Sequence, residues 1–309
     1  MRTTATRNPV LQQFLADHPG RDLDRAGLRL HFIDEGSGEP VVLLHGNPTW
    51  SFLYRHLIEA LSDSYRVIVP DQIGCGRSDK PDDSRYDYTL ASRVDDLELL
   101  LDRLGLDREL TLVLHDWGGI IGLTYAARHP ERIARLVVAN TAAFHKPAGK
   151  SFPWVLSLFR DRVLGGWLVR GLNLFVRGTT WIGCQERRLS RAERDAYAAP
   201  YDSWAHRIAI HRFVQDIPLR PGDRSYELIS WVQDRLGLLN AIPMLILWGM
   251  RDFVFDGPVL DEWVRRFPAA EVHRFPRAGH LVFEDQRDAI NGLVRSFLAA
   301  HPLIREPVG

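Results

Sequence analysis

Cysteine is nearly missing from this chain: Cys75 and Cys184 are the only two in 309 residues. They have no CxxC spacing and build no disulfide framework, so both read as small buried or half-buried side chains. Neither sign of charge is in excess, with 39 Lys and Arg against 39 Asp and Glu. That balance gives no reason to expect a nucleic acid or an acidic membrane surface as partner. A spanning apolar run is absent too. The longest candidate, Phe152 to Val176, is broken by Arg160, Asp161, Arg162 and Arg170, which predicts no membrane span. The opening MRTTATRNPV lacks the apolar stretch of a secretory leader, which sets the expectation of a cytoplasmic protein. No HExxH, clustered cysteine, P-loop, internal repeat or low-complexity segment is present, so neither a metal, a cofactor nor a phosphate site is implied.

What is present is a chain 45% hydrophobic, long enough for one large domain or a core with an insertion. LRLHFIDEG, VVLLHG, RVIVP, LTLVLH and ARLVVAN read as strands in the first part. Helices are expected between them at Ser51 to Leu61, Leu90 to Leu104 and Gly118 to Arg128. The pattern resumes with PMLILWG, a helix around Val259 to Arg266, EVHRF, and a closing helix from Asp285 to Leu298. Short continuous apolar runs suit parallel strands covered on both faces, and their alternation with helices implies an α/β protein with a doubly wound sheet. The section between, from about Phe144 to Gly237, has no such runs. It carries a capping-box pattern at Ser190 to Glu193 and an amphipathic stretch at Ser203 to Gln215, and reads as a helical insertion. The expected organisation is a core of residues 1–143 and 238–309 around a lid of residues 144–237, the lid lying over the carboxyl ends of the strands.

The run LVLHDWGG, Leu112 to Gly119, puts an aspartate where a strand-turn-helix elbow usually presents a serine. A serine attacking saturated carbon would end as a stable ether. A carboxylate attacking the same carbon makes an ester that can be opened again. Asp116 therefore points to a leaving group on sp3 carbon or to a strained ring.

Asp116, Asp252 and His280 follow in the order nucleophile, acid, histidine, which belongs to the α/β-hydrolase arrangement. His280, in RAGHLVFED, is the candidate general base. Asp252, in WGMRDFVF, is the candidate orienting acid, its bland alternative being a helix N-cap. Asp256, before Gly257 and Pro258, fits that capping task better. After ARLVVAN the chain offers Asn140, which cannot serve as a carboxylate. HGNPTW supplies Asn47, which with Trp117 would give two backbone N–H groups to an oxyanion hole. Their side-chain N–H groups, pointing at the nucleophile, could hold a halide or a carboxylate-like oxygen. His45 and His115 read as structural hydrogen-bonding residues.

HGNPTW, LHDWGG, GMRD and AGH together resemble the haloalkane dehalogenase branch of the α/β hydrolases, over Leu28 to Leu298. The resemblance implies Asp116 as nucleophile, His280 as base, Asp252 as acid, and Asn47 with Trp117 as leaving-group ligands. Within the branch, DQIGCGRSDKP, YDYTLASRVDDLE, NTAAFHKPAGK, APYDSWAHRIAI and FVQDIPLRPGD look like the β-lactone decarboxylases of long-chain olefin biosynthesis. That likeness implies conversion of a cis-3,4-dialkyl-oxetan-2-one to a cis-alkene and carbon dioxide, an apolar small-molecule substrate, no cofactor, and an assembly with other olefin-pathway enzymes. The apolar lid residues Trp154, Leu156, Leu158, Phe159, Trp167, Leu168 and Phe175 would suit two alkyl chains. Haloalkane dehalogenase is the alternative. An epoxide hydrolase would need lid tyrosines, for which Tyr197, Tyr201 and Tyr226 are candidates; a hydrolase fold reused as a non-catalytic receptor is a further possibility.

Overall fold

In the computed structural model, which describes residues 8–303, the apolar runs of the sequence become the middle of one eight-stranded sheet. Residues 1–7, most of the opening segment MRTTATRNPV, and 304–309, the end of the 238–309 span, lie outside the described residues. The strands are β1 (Arg21–Arg25), β2 (Leu28–Glu35), β3 (Pro40–Leu44), β4 (Arg66–Pro70), β5 (Leu110–His115), β6 (Ile133–Ala139), β7 (Met244–Gly249) and β8 (Glu271–Phe275). Their order across the sheet is β1-β2-β4-β3-β5-β6-β7-β8. β1 with β2 and β2 with β4 pair antiparallel, and the remaining pairs are parallel. β5 and β7 are buried at every residue, as strands covered by helices on both faces must be.

The first helices are α1 (Pro9–Asp17), α2 (Arg55–Leu61), α3 (Leu90–Arg103) and α4 (Trp117–Arg128). After β6 come α5 (Trp154–Arg160), α6 (Leu164–Gly166) running into a π-turn, α7 (Leu174–Ile182), α8 (Arg191–Ala198), α9 (Ile208–Gln215) and α10 (Tyr226–Arg235). No strand occurs among the described residues between Ala139 and Met244. The chain then closes with α11 (Gly257–Arg266), α12 (Val282–Asp285) and α13 (Arg287–Ala300). Outside the lid, three elements have no counterpart in the sequence reading, the short α12 and two near the start of the chain. β1 is RDLDR, an edge strand with one apolar residue, and α1 is a short helix started by the Asn8 side chain, which accepts from Leu11 N–H. The helix expected from Ser51 opens instead as a 3-10 turn, Ser51–Tyr54.

Local signals also fix the lid. Ser190 accepts from the Glu193 N–H while the Glu193 carboxylate accepts from the Ser190 N–H, the reciprocal capping box its spacing predicts. Asp256 does take the N-cap position of α11, but its side chain makes no cap bond; the carboxylate pairs with Lys150 at 2.7 Å instead.

A buried ionic cluster ties α8 of the lid to the core. Glu284, fully buried on α12, accepts from Arg55 on α2 at 2.5 and 3.0 Å and from the Tyr197 hydroxyl at 2.5 Å. Glu193 on α8 accepts from Arg287 at 2.6 Å and from Arg55 at 3.3 Å. Removing one partner of such a cluster strands the others in a medium that cannot hydrate them. Glu284→Ala is therefore expected to lower stability by about 3–5 kcal/mol in urea unfolding; a loss below about 1 kcal/mol would show that Arg55 finds water or another partner.

Candidate active site

The turn between β5 and α4 sets the geometry of Asp116. Its backbone sits at φ +50°, ψ −127°, a conformation in which a residue with a Cβ is strained. Neighbouring contacts impose it: Asp116 N–H donates to Asn140 O at 3.2 Å, and Asp116 O accepts from Gly119 N–H at 2.9 Å and Thr141 Oγ1 at 2.5 Å. α4 then leaves so close to β3 that a Cβ on Gly118 would lie 1.9 Å from Leu44 O. Only glycine allows that approach.

The turn presents the Asp116 carboxylate, 9% exposed, to the floor of a cavity of about 340 Å³. Oδ1 accepts from Asn47 N–H at 2.6 Å, and Trp117 N–H also bonds the carboxylate. The two backbone donors expected from HGNPTW and from the residue after the nucleophile therefore converge on Asp116 itself. Oδ2 lies 3.8 Å from His280 Nε2. On the far side of the ring, His280 Nδ1 bonds Asp252 Oδ2 at 2.8 Å. Asp252 does not line the cavity; its hydrogen bond goes to the imidazole, and its charge also helps raise the Asp116 pKa.

Burial raises the Asp116 pKa above the ordinary carboxylate value, although His280 and the two N–H groups oppose the shift. Burial also disfavours charge on His280, but the Asp252 carboxylate, through charge and a hydrogen bond, and Asp116 outweigh it and raise the imidazole to about 9. Burial pushes Asp252 up as well; His280 and the N–H groups of Val254 and Phe255 more than reverse this and hold it low. The resting histidine thus carries its proton at neutral pH, between two carboxylates.

Asn47 and Trp117 both line the cavity, in different states. The Asn47 amide donates one hydrogen to Ile210 O of α9 at 3.1 Å, and its Oδ1 is buried without a partner. It is therefore not wholly free for a leaving group, as the sequence reading had it, but has one N–H left. The Trp117 ring packs 5.2 Å from Phe213, and its indole N–H has no acceptor among the described residues. His45 and His115 are held in hydrogen bonds, His45 to Gly46 O and Gln72 N, His115 to His280 O at 2.8 Å. Burial lowers His115 to about 3, which keeps it neutral.

Two residues that support the site escaped the sequence reading. Asn140 was set aside because it is no carboxylate, yet its Nδ2 donates to Asp252 Oδ2 and Gly249 O, both at 3.1 Å, and its Oδ1 accepts from Gly249 N at 2.8 Å. It orients the acid across two strand ends. Asp285 accepts from Gly279 N at 2.7 Å, and from the N–H groups of Gln185, Glu186 and Arg187 at 2.9, 3.0 and 2.7 Å. It clasps the His280 loop to the lid, and the acidic pair following His280 in HLVFED was its only trace in the sequence.

The lid residues divide. Leu156, Phe159 and Phe175 line the cavity, whereas Trp154, Leu158, Trp167 and Leu168 do not. The three candidate tyrosines are engaged away from it: Tyr197 on Glu284, Tyr201 on Thr49 O at 3.1 Å, and Tyr226 stacked on His145. No tyrosine lines the cavity, so the pair an epoxide oxygen requires is missing. No group of three or more His, Cys, Asp or Glu among the described residues is arranged to hold a metal ion.

The chain is similar to known proteins. A cis-3-alkyl-4-alkyloxetan-2-one decarboxylase of Shewanella oneidensis is 52% identical over 276 residues, covering 89% of this chain and 87% of that protein. The protein of the same name in Xanthomonas campestris pv. campestris is 47% identical over 286 residues, covering 90% and 95%. The crystal structure of a haloalkane dehalogenase of Agrobacterium tumefaciens superposes with a TM-score of 0.82 at 26% identity, covering 92% of this chain and 97% of that one. Residues 39–286 match the family described as the alpha/beta hydrolase fold. With its mostly parallel eight-stranded sheet and its aspartate on the β5 turn, the chain belongs to the alpha/beta hydrolase family.

Proposed function

We propose that this chain is a β-lactone decarboxylase, converting cis-3,4-dialkyl-oxetan-2-ones to cis-alkenes and carbon dioxide. The observation that carries the proposal is the Asp116 carboxyl group, flanked by N–H donors and the His280 ring, on the floor of an apolar cavity. It is joined by near 50% identity to two relatives of that name. A cytoplasmic setting and an assembly with other olefin-pathway enzymes belong to the same proposal.

The chemistry runs through the ring carbon that bears oxygen. Asp116 Oδ2, the oxygen not tied to Asn47 N–H, attacks that carbon; its bond to the ring oxygen breaks, leaving an alkyl ester of Asp116 and a free carboxylate on the neighbouring carbon. The bond to that carboxylate then breaks, its electron pair becomes the alkene π bond, and Asp116 departs as a carboxylate with carbon dioxide released. No water enters, and the nucleophile is restored. Inversion at the first step, followed by departure anti to the carboxylate, keeps both alkyl groups on one side, so a cis lactone gives a cis alkene. Attack at the carbonyl would instead leave an alkoxide on carbon, which is a poor leaving group. Protonated His280, the Trp117 indole N–H and the remaining Asn47 amide N–H serve the developing carboxylate.

Haloalkane dehalogenase is the second reading, favoured by the structural likeness to an enzyme of that name. It uses the same nucleophile but needs water, and hence His280 as a neutral base, to open the ester.

Supplied separately with a synthetic cis-dialkyl-β-lactone and with 1,2-dibromoethane, the protein is expected to form alkene, measured by gas chromatography, with negligible bromide. Bromide without alkene would sink the proposal. Asp116→Ala should lose roughly 10³-fold or more in alkene formation. Trp117→Phe keeps the ring but removes one donor, and should lower kcat by about 10²-fold, with an unchanged value excluding a role for the indole N–H. The pH profile separates the two reactions. For the lactone, kcat/KM should fall on the acid side as Asp116, raised above the usual carboxylate range, takes a proton, and on the alkaline side as His280 loses its own near 9. For a halide, kcat should climb with pH and level off below 9, because only the neutral imidazole can accept a proton from water and the ester no longer has the Asp116 charge that helps raise His280.

A further inference from the structure

The lid helices have two apolar faces, and only one is used by the cavity. α5 and α7 turn Leu156, Phe159 and Phe175 inward, with the Phe159 and Phe175 rings 5.2 Å apart. On the same helices Trp154 is 75% exposed and Trp181 59%, and neither lines the cavity. Leu174, Ile182, Leu219 and Phe253 line the cavity and are also exposed, which marks them as its mouth. Large apolar side chains gathered round an opening are a docking surface rather than scatter.

Charge on this segment is one-sided. Residues 144–182 contain Lys146, Lys150, Arg160, Arg162, Arg170 and Arg177 against the single acid Asp161, in a chain whose total is balanced. Lys150 pairs with Asp256 and Arg160 with Asp223, whereas Lys146, Arg162 and Arg177 pair with no carboxylate among the described residues. Asp161 is occupied in its own turn, accepting from the N–H groups of Val163 and Leu164 at 2.8 and 2.6 Å. Exposed tryptophans on a segment rich in unpaired arginines and lysines, with the Arg194 guanidinium 4.1 Å from the Trp181 ring, suit the boundary between acyl chains and anionic headgroups, where rings sit in the apolar layer and cations reach phosphate.

We infer that the mouth of the cavity docks on the surface of an anionic lipid bilayer. Whole-chain charge balance gave no cause to expect an acidic membrane, because it averages over this local excess. No helix among the described residues is long and apolar enough to cross a membrane, so the attachment is peripheral. The docking rests on the lid surface alone. What passes through the mouth rests on the proposed reaction: a dialkyl lactone and its alkene are poorly soluble, and a mouth seated on lipid lets both move without crossing water.

Vesicle flotation of the full chain, without substrate, tests the docking. Protein is mixed with vesicles of phosphatidylglycerol and phosphatidylcholine in equal parts, or of phosphatidylcholine alone, and compared with W154E/W181E, whose altered residues do not line the cavity. Circular dichroism melting checks that the variant is folded. The unaltered protein should float with the anionic vesicles, and roughly tenfold less protein should float when the anionic lipid is omitted, the salt is raised, or the variant is used. Failure to float with anionic vesicles, or equal flotation of the variant, would overturn the inference. So would a concentration-dependent dimer, seen by sedimentation velocity and lost in W154E/W181E, since a second copy would then cover the face. Flotation without lactone turnover would strike the proposed reaction and leave the docking standing.

Discussion

A carboxylate on the floor of an apolar cavity stays ionised only if donors and a cation stand within a few ångströms of it. The architecture round Asp116 meets that requirement from three directions. The strained turn after β5 aims the side chain, the loop after β3 and the start of α4 bring backbone N–H groups to it, and the loop after β8 brings a protonated imidazole. Each arrives at the carboxyl end of a parallel strand, where a doubly wound sheet gathers loops from distant parts of the sequence. Asp252 and Asn140 stand one layer back: one keeps the imidazole charged, the other keeps that acid aimed.

The same arrangement can serve two fates of an alkyl ester on Asp116. A halide leaves nothing behind that can restore the nucleophile, so water must enter. A β-lactone leaves a carboxylate on the adjacent carbon, and its loss as carbon dioxide expels the aspartate. The difference lies in the substrate rather than in the arrangement of the triad. The proposed reaction is compatible with a structural likeness to a dehalogenase at 26% identity alongside near 50% identity to proteins named for lactone decarboxylation.

How much of this was legible in the sequence depended on how local the signal was. LTLVLH, VVLL and PMLILWG announce buried parallel strands because burial on both faces leaves an unbroken apolar run, and the elbow residues declare themselves by chemistry and order. β1 was not legible, since an edge strand exposes most of its length and RDLDR shows no alternation. Asn140 was dismissed on side-chain identity, when its task, bridging Asp252 and Gly249, depends on strands β6 and β7 lying side by side. The lid was half legible. Its helices and capping box could be read, but Trp154 and Leu156 look alike in a short apolar helix, and only the packed structure shows that one meets water and the other the cavity.

Asp285 couples the lid to the histidine. Because one carboxylate gathers N–H groups from both the His280 loop and residues 185–187, the returning leg of the lid is part of the histidine's mounting. The α5 to α7 region upstream, which contributes cavity wall and mouth, is free of that clasp. Divergence of substrate size among relatives can therefore proceed by exchange of the upstream helices, and a transplanted lid keeps the histidine in register only when its seam falls before Gly183.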